Sequence, residues 1–147
     1  MSLEDLYREV ILDHYRNPRH RVALTEPDSI AEGVNPLCGD EVTVELCFDD
    51  DRVSGVSVRG QGCSISQASA SMMSDAINGK TRSEIADLSK RFKAMLADEG
   101  GEPVVDPDRP GSVLGDLEAL QGVRAYPVRI KCASLPWATL SDALDRS

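Results

Sequence analysis

Four cysteines are spread along 147 residues, at Cys38, Cys47, Cys63 and Cys132. Cys38 is separated from Asp40 by a single glycine in the stretch NPLCGDEV. Cys63 follows Gly60 and Gly62 in GQGCSIS, and Cys132 ends VRIKC. A thiolate attacks sulfur and binds soft or borderline metal ions, so these residue types allow thiol chemistry, metal binding or plain burial. Spacing alone does not choose among the three, because the chain has no C-x-x-C pair. So sparse a set is no mini-protein disulfide framework, and a reducing cytoplasm would disfavour one.

Each thiol needs an element to hold it, and the periodicity of the apolar residues outlines those elements. Residues 2–16 read as an amphipathic helix, with Ser2 and Asp5 in a capping arrangement and Leu3, Leu6, Tyr7, Val10 and Ile11 on one face. A connection over 19–40 is punctuated by Pro27, Gly33 and Pro36, with a faint strand signal around Ser29 to Val34. Val42, Val44, Leu46 and Phe48 alternate with polar residues, as a half-buried strand does. Asp49-Asp50-Asp51 then turns the chain, and Val53 to Arg59 returns as the hairpin partner.

A helix over Ser64 to Asn78 follows, with Gly79 as its C-cap. Thr81 and Glu84 form a capping box for another helix, which carries Ile85, Leu88, Phe92, Met95 and Leu96. Residues 98–111 are turn-rich and read as a loop, either a lid or a surface insertion. A short helix over Ser112 to Leu120 and a final one over Val128 to Leu144 complete the chain, with a kink or break expected at Pro136. Paired strands followed by gathered helices predict an α+β fold, a small antiparallel sheet of about three strands with helices packed mainly on one face. A single domain over 1–147 is long enough for an apolar core.

Twenty-five acidic against sixteen basic residues give a formal charge of −9. That balance opposes nonspecific attraction to nucleic acid or anionic membranes, while serving solubility or a partner with a basic docking patch. No apolar run approaches the roughly 18 residues of a membrane span, and MSLEDLYREV lacks the layout of a signal peptide. The expectation is a cytoplasmic protein with no nucleic-acid or membrane partner.

Three of the thiols fall where a shared site can form. Cys38 is on a turn just before a strand, and Asp40 can face the same point across Gly39. Cys63 is at a glycine-rich strand-to-helix junction, where helix-end N–H groups favour a thiolate. Cys132 lies in the first turns of the last helix. Three sulfurs at about 2.3 Å and one carboxylate oxygen at about 2.0–2.2 Å would satisfy tetrahedral zinc. Asp40 is equally the residue type that turns favour. Cys47, on the strand face opposite Val44 and Leu46, reads as a partly buried bystander. His14 and His20 read as ordinary core or surface histidines, because a tetrahedral set is full without them.

The stretches NPLCGDEV, GQGCSISQASASMM and VRIKCASLPW resemble the three cysteine motifs of the IscU/NifU-like iron–sulfur cluster assembly family. LYREVILDHYRNPRH and GDLEALQGVRAYPVRIKCA extend the likeness, in order, over most of the chain. Within that family the chain is similar to the SufU-type zinc-dependent sulfur acceptors. Cluster scaffolds resemble one another in a histidine before the third cysteine and a double proline ahead of it. Here Lys131 precedes Cys132, and only Pro127 is present. The segment between Cys63 and Cys132 is also long, as in SufU-like chains.

The resemblance implies a SufE/NifU-like fold, with Cys38, Asp40, Cys63 and Cys132 as zinc ligands. It implies that Cys38 is the sulfur acceptor and that Arg129 is a basic residue needed for work with a desulfurase. The implied partner is a SufS-like cysteine desulfurase, a pyridoxal-phosphate enzyme that carries a persulfide on its own cysteine. In the family a desulfurase histidine takes a place on zinc and frees the acceptor cysteine. The implied function is a sulfurtransferase that activates the desulfurase and passes sulfur to the downstream SUF-type assembly machinery. Two alternatives stay open: a scaffold that builds a [2Fe–2S] cluster on the same cysteines, and a purely structural zinc module.

Overall fold

The computed structural model describes residues 2–36, 39–97, 105–106 and 108–146. Helix α1 covers Leu3–Arg16, and the Ser2 hydroxyl caps it by accepting the Asp5 N–H at 3.2 Å. Three strands follow, β1 (Ser29–Asn35), β2 (Asp40–Asp49) and β3 (Arg52–Gln61), in an antiparallel meander of order β1-β2-β3. Helices α2 (Ser64–Ile77) and α3 (Arg82–Ala97), a 3-10 helix (Gly115–Ala125) and α4 (Pro127–Asp145) complete the chain. The fold is α+β, as the order of patterns predicts.

The faint strand signal at Ser29 to Val34 is a full strand paired along β2 from Ser29↔Leu46 to Asn35↔Asp40. Val42, Val44 and Leu46 of β2 and Val56 and Val58 of β3 are buried, and α2 and α4 pack over the sheet. The opposite face is partly covered by the segment after α1. There the Leu24 N–H donates to Glu45, and at the outer edge of β3 the Val58 N–H donates to the His20 carbonyl. Asp50, at φ +56, makes the tight turn between Asp49 and Arg52.

Helix α2 is the centre of the molecule, with ten of its residues buried, four of them serines. Their hydroxyls are satisfied across and along the helix, so their burial costs little. Ser69 donates to the Ala133 carbonyl at 2.6 Å and Ser74 to the Ser71 carbonyl at 2.7 Å. Ser71 meets His14 Nδ1 at 2.8 Å and accepts the Arg19 N–H, while His14 Nε2 meets Asp116 at 2.9 Å. His14 is thus a core histidine joining α1, α2 and the 3-10 helix. His20 lies at the surface beside Asp75.

One expectation needs correction and a second is narrowed. The segment after the loop is a 3-10 helix over Gly115–Ala125, later and longer than the expected helix over Ser112 to Leu120. Its approach is set by Glu118, a buried carboxylate that accepts the N–H groups of Gly111, Val113 and Leu114 and so holds 111–114 in turns. Of the kink or break expected at Pro136, the break does not occur, and α4 continues through it. Proline removes one helical N–H, but burial of Ala133, Trp137, Leu140 and Ala143 outweighs that single loss. Trp137 stacks on Phe92 of α3 with ring centroids 4.8 Å apart. Of the predicted 98–111 loop, 98–104 and 107 lie outside the described residues.

The capping box of α3 forms as predicted: Glu84 accepts the Thr81 N–H at 3.0 Å, and Thr81 Oγ1 accepts the Glu84 N–H at 3.2 Å. The Thr81 backbone bond, then its side-chain bond, hold the Glu84 carboxyl below its ordinary value of 4.5. A depressed folded value adds stability above the unfolded pKa and loses it as pH falls through the folded one. Protection of the Thr81 and Glu84 amides, relative to their intrinsic exchange, should therefore fall as pH drops below the ordinary glutamate range, ahead of protection in the middle of α2. Unchanged protection there down to about pH 3 would contradict this account.

Candidate metal centre

The strand register brings distant residues to one end of the sheet. Asn35↔Asp40 closes the 36–39 connection, and Glu41↔Gln61 sets the start of β2 beside the end of β3. The chain leaves β3 through Gly62 and enters α2 at Cys63, its N-cap residue. Helix α4 begins at the same end and places Cys132 on its second turn, 3% exposed.

Asp40, Cys63 and Cys132 converge there, each offering a donor atom, and all three atoms lie within 4.8 Å of one another. Asp40 is fully buried. Its Oδ1 accepts the Cys63 N–H at 2.9 Å, which leaves Oδ2 turned to the Cys63 sulfur at 3.9 Å. Two donors about 2.3 Å from a tetrahedral ion stand roughly 3.8 Å apart. The pair is thus already at coordination spacing, and two sulfurs with one carboxylate oxygen form a donor set that suits zinc. No ion pair to Asp40 is present among the described residues; a buried carboxylate beside two thiols is costly, and a divalent cation would offset it.

The backbone makes room for this arrangement at Gly62. Its φ is +150, and a Cβ there would lie 2.2 Å from Asp40 Oδ1 and 2.9 Å from Ser66 Oγ. Only glycine lets the strand-to-helix turn pass so close to the carboxylate. Ser66, 3% exposed, is the residue that sequence reasoning missed. Its Oγ lies 3.8 Å from Cys63 Sγ and donates to the Cys63 carbonyl at 3.1 Å. The signal was present in the spacing, since Cys63-x-x-Ser66 puts a hydroxyl at the third helical position, over the cap.

Cys38, the expected fourth ligand, lies outside the described residues. Arg129 is exposed on the first turn of α4. It lines a groove of about 430 Å³ with Cys63, Cys132, Tyr126 and Val128. Tyr126 and Val128 are 61% and 60% exposed, an apolar lip beside the thiols. Lys131 is exposed. Cys47 is partly buried on the other face of the sheet, its Sγ 3.6 Å from the Glu26 carbonyl, and takes no part in the cluster.

Comparison with known proteins gives this geometry a family. The NifU-like N-terminal domain matches residues 6–133. The chain belongs to that family. Among NifU-like relatives, it is 45% identical over 140 residues to the zinc-dependent sulfurtransferase SufU of Bacillus subtilis, covering 95% of this chain and 89% of that one. It is 37% identical over 146 residues to the iron–sulfur cluster assembly scaffold protein IscU of Streptococcus pyogenes, covering 99% and 87%. The fold of this NifU-like chain is similar to a crystal structure from Fervidobacterium islandicum, described as a putative iron–sulfur cluster assembly scaffold protein for the SUF system. That likeness has a TM-score of 0.82 and 36% identity, and covers 97% of this chain and 99% of the other. Among the described residues, no helix is long and apolar enough to cross a membrane.

Proposed function

We propose that this chain, acting as one domain over 1–147 in the cytoplasm, is a zinc-dependent sulfurtransferase. It would accept persulfide sulfur from a SufS-like cysteine desulfurase and pass it to SUF-type cluster assembly. The observation that carries the reading is the convergence of Asp40, Cys63 and Cys132 within 4.8 Å, beside the four-residue connection that bears Cys38. The 45% identity to a zinc-dependent sulfurtransferase supports the choice of metal and activity.

Cys38, Asp40, Cys63 and Cys132 would hold the zinc, which keeps bound thiols deprotonated and brings no redox chemistry of its own. Three of the four are fixed by regular structure: Asp40 by β2, Cys63 by the cap of α2 and Cys132 by α4. Cys38, carried by the 36–39 connection, would be the ligand that reacts. Its thiolate attacks the outer sulfur of the desulfurase persulfide. The sulfur–sulfur bond breaks, the desulfurase cysteine departs as a thiolate, and Cys38 carries the new persulfide. No external oxidant or reductant is consumed. Arg129, exposed at the lip of the groove, would steady the negative charge on the sulfurs in transit and bind the partner.

A sulfide-release assay with a purified SufS-like desulfurase tests the reading. Adding this chain should raise cysteine turnover at least several-fold, and Arg129→Ala should lose most of the gain while keeping its metal. The scaffold alternative, favoured by the identity to IscU-named relatives, predicts something else. Anaerobic reconstitution with iron and sulfide would then yield a visible chromophore that survives gel filtration, with no stimulation of the desulfurase.

A further inference from the structure

We propose that Ser66 is a positioning residue that hydrogen-bonds the Cys63 sulfur when the metal is bound, and so keeps Cys63 in place while Cys38 reacts. The inference rests on the metal reading above. Two of the other three buried serines of α2 donate to backbone carbonyls at 2.6 and 2.7 Å, and Ser71 is fixed between His14 and the Arg19 N–H. Ser66 differs. Its hydroxyl donates at 3.1 Å to the Cys63 carbonyl, which also accepts the helical N–H of Gln67 at 3.1 Å. That carbonyl keeps a partner if the hydroxyl turns away.

The alternative acceptor is Cys63 Sγ, 3.8 Å away and within reach of a hydrogen bond to sulfur. As a thiol, Cys63 has its own hydrogen to give to Ser66 or Asp40. As a metal-bound thiolate it has none and can only accept. Asp40 is a carboxylate whose Oδ1 is occupied by the Cys63 N–H, so it has no hydrogen to offer. Among the described residues, Ser66, itself 3% exposed, is then a side-chain donor within hydrogen-bond reach of that sulfur. Partners of this kind fix the orientation of a metal ligand and lower the electron density on it. Three thiolates on one ion would otherwise be similar nucleophiles, and a donor at Cys63 turns incoming sulfur away from that one.

Cobalt-substituted protein gives a readout separate from activity. In Ser66→Ala the sulfur-to-cobalt charge-transfer band should move to lower energy, because a thiolate without its donor is easier to oxidise. Release of the ion to a chelator should quicken about tenfold, and persulfide loading followed by peptide mass spectrometry should place part of the sulfur on Cys63. Ser66→Thr, which keeps the hydroxyl, should restore the band. A Ser66→Ala protein that loads one cobalt per chain with the wild-type band and release rate would overturn the inference and leave the metal reading intact. Failure of the wild-type chain to take up cobalt would overturn both.

Discussion

Replacing Cys38 by alanine is expected to abolish stimulation of a SufS-like desulfurase, a loss of about a hundredfold or more in sulfur transfer. The variant should remain folded, because the Asn35↔Asp40 pair ties the ends of the connection that carries Cys38. Asp40, Cys63 and Cys132 would still hold metal, more weakly, since three donors remain in place. Cys47→Ala is the matched control: its sulfur lies on the far face beside Glu26, and transfer should stay within about twofold of wild type. Parallel sulfide-release and metal assays on the two variants check both halves. Stimulation by Cys38→Ala at the wild-type level would remove the acceptor assignment. Loss of folding together with transfer would favour the structural zinc module.

The second large effect is expected from Gly62→Ala, a change that replaces no proposed ligand. The added Cβ would come within 2.2 Å of Asp40 Oδ1 at a backbone angle that L side chains rarely adopt. Either the turn opens, or the carboxylate swings away and gives up the Cys63 N–H. Backbone strain of about 1–3 kcal/mol and an unmet buried donor of similar size together cost about 2–6 kcal/mol. That corresponds to a fall in Tm of roughly 5–20 °C. Because the displaced group is a proposed metal ligand, zinc per chain should fall with Tm. Gly79→Ala separates the two effects. Gly79 also has positive φ, but open space lies around its missing Cβ, so that variant should lose stability and keep its metal. Full zinc occupancy in Gly62→Ala would mean that the Asp40 carboxylate is not where coordination needs it.

These predictions rest on features of unequal visibility in the sequence. The helices over 3–16, 64–77 and 82–97 could be read because each carries its own start signal or apolar stripe, as the Ser2 and Thr81 caps illustrate. The β2–β3 hairpin was legible from alternation around the Asp50 turn. β1 was barely so, since Glu32, Gly33 and Asn35 have little strand preference of their own. It forms because Ala31 is buried under α4 and β2 supplies a ladder. The break that Pro136 allows is absent for the same reason: a local rule lost to the packing of a whole helix face. At the site, the cysteine motifs pointed to Asp40, Cys63 and Cys132 as partners, but only the register shows how strand ends and helix starts meet. The Cys63 N–H bond to Asp40 and the reach of Ser66 depend on three-dimensional placement, and no periodicity encodes them.

The central claim is that sulfur and carboxylate donors from three separate motifs share one zinc ion. X-ray absorption at the zinc edge of the protein as purified addresses it directly. The account predicts about one zinc per chain, with three sulfurs near 2.3 Å and one light atom at about 2.0–2.2 Å. A zinc shell without sulfur, or iron in place of zinc at the same stoichiometry, would contradict it.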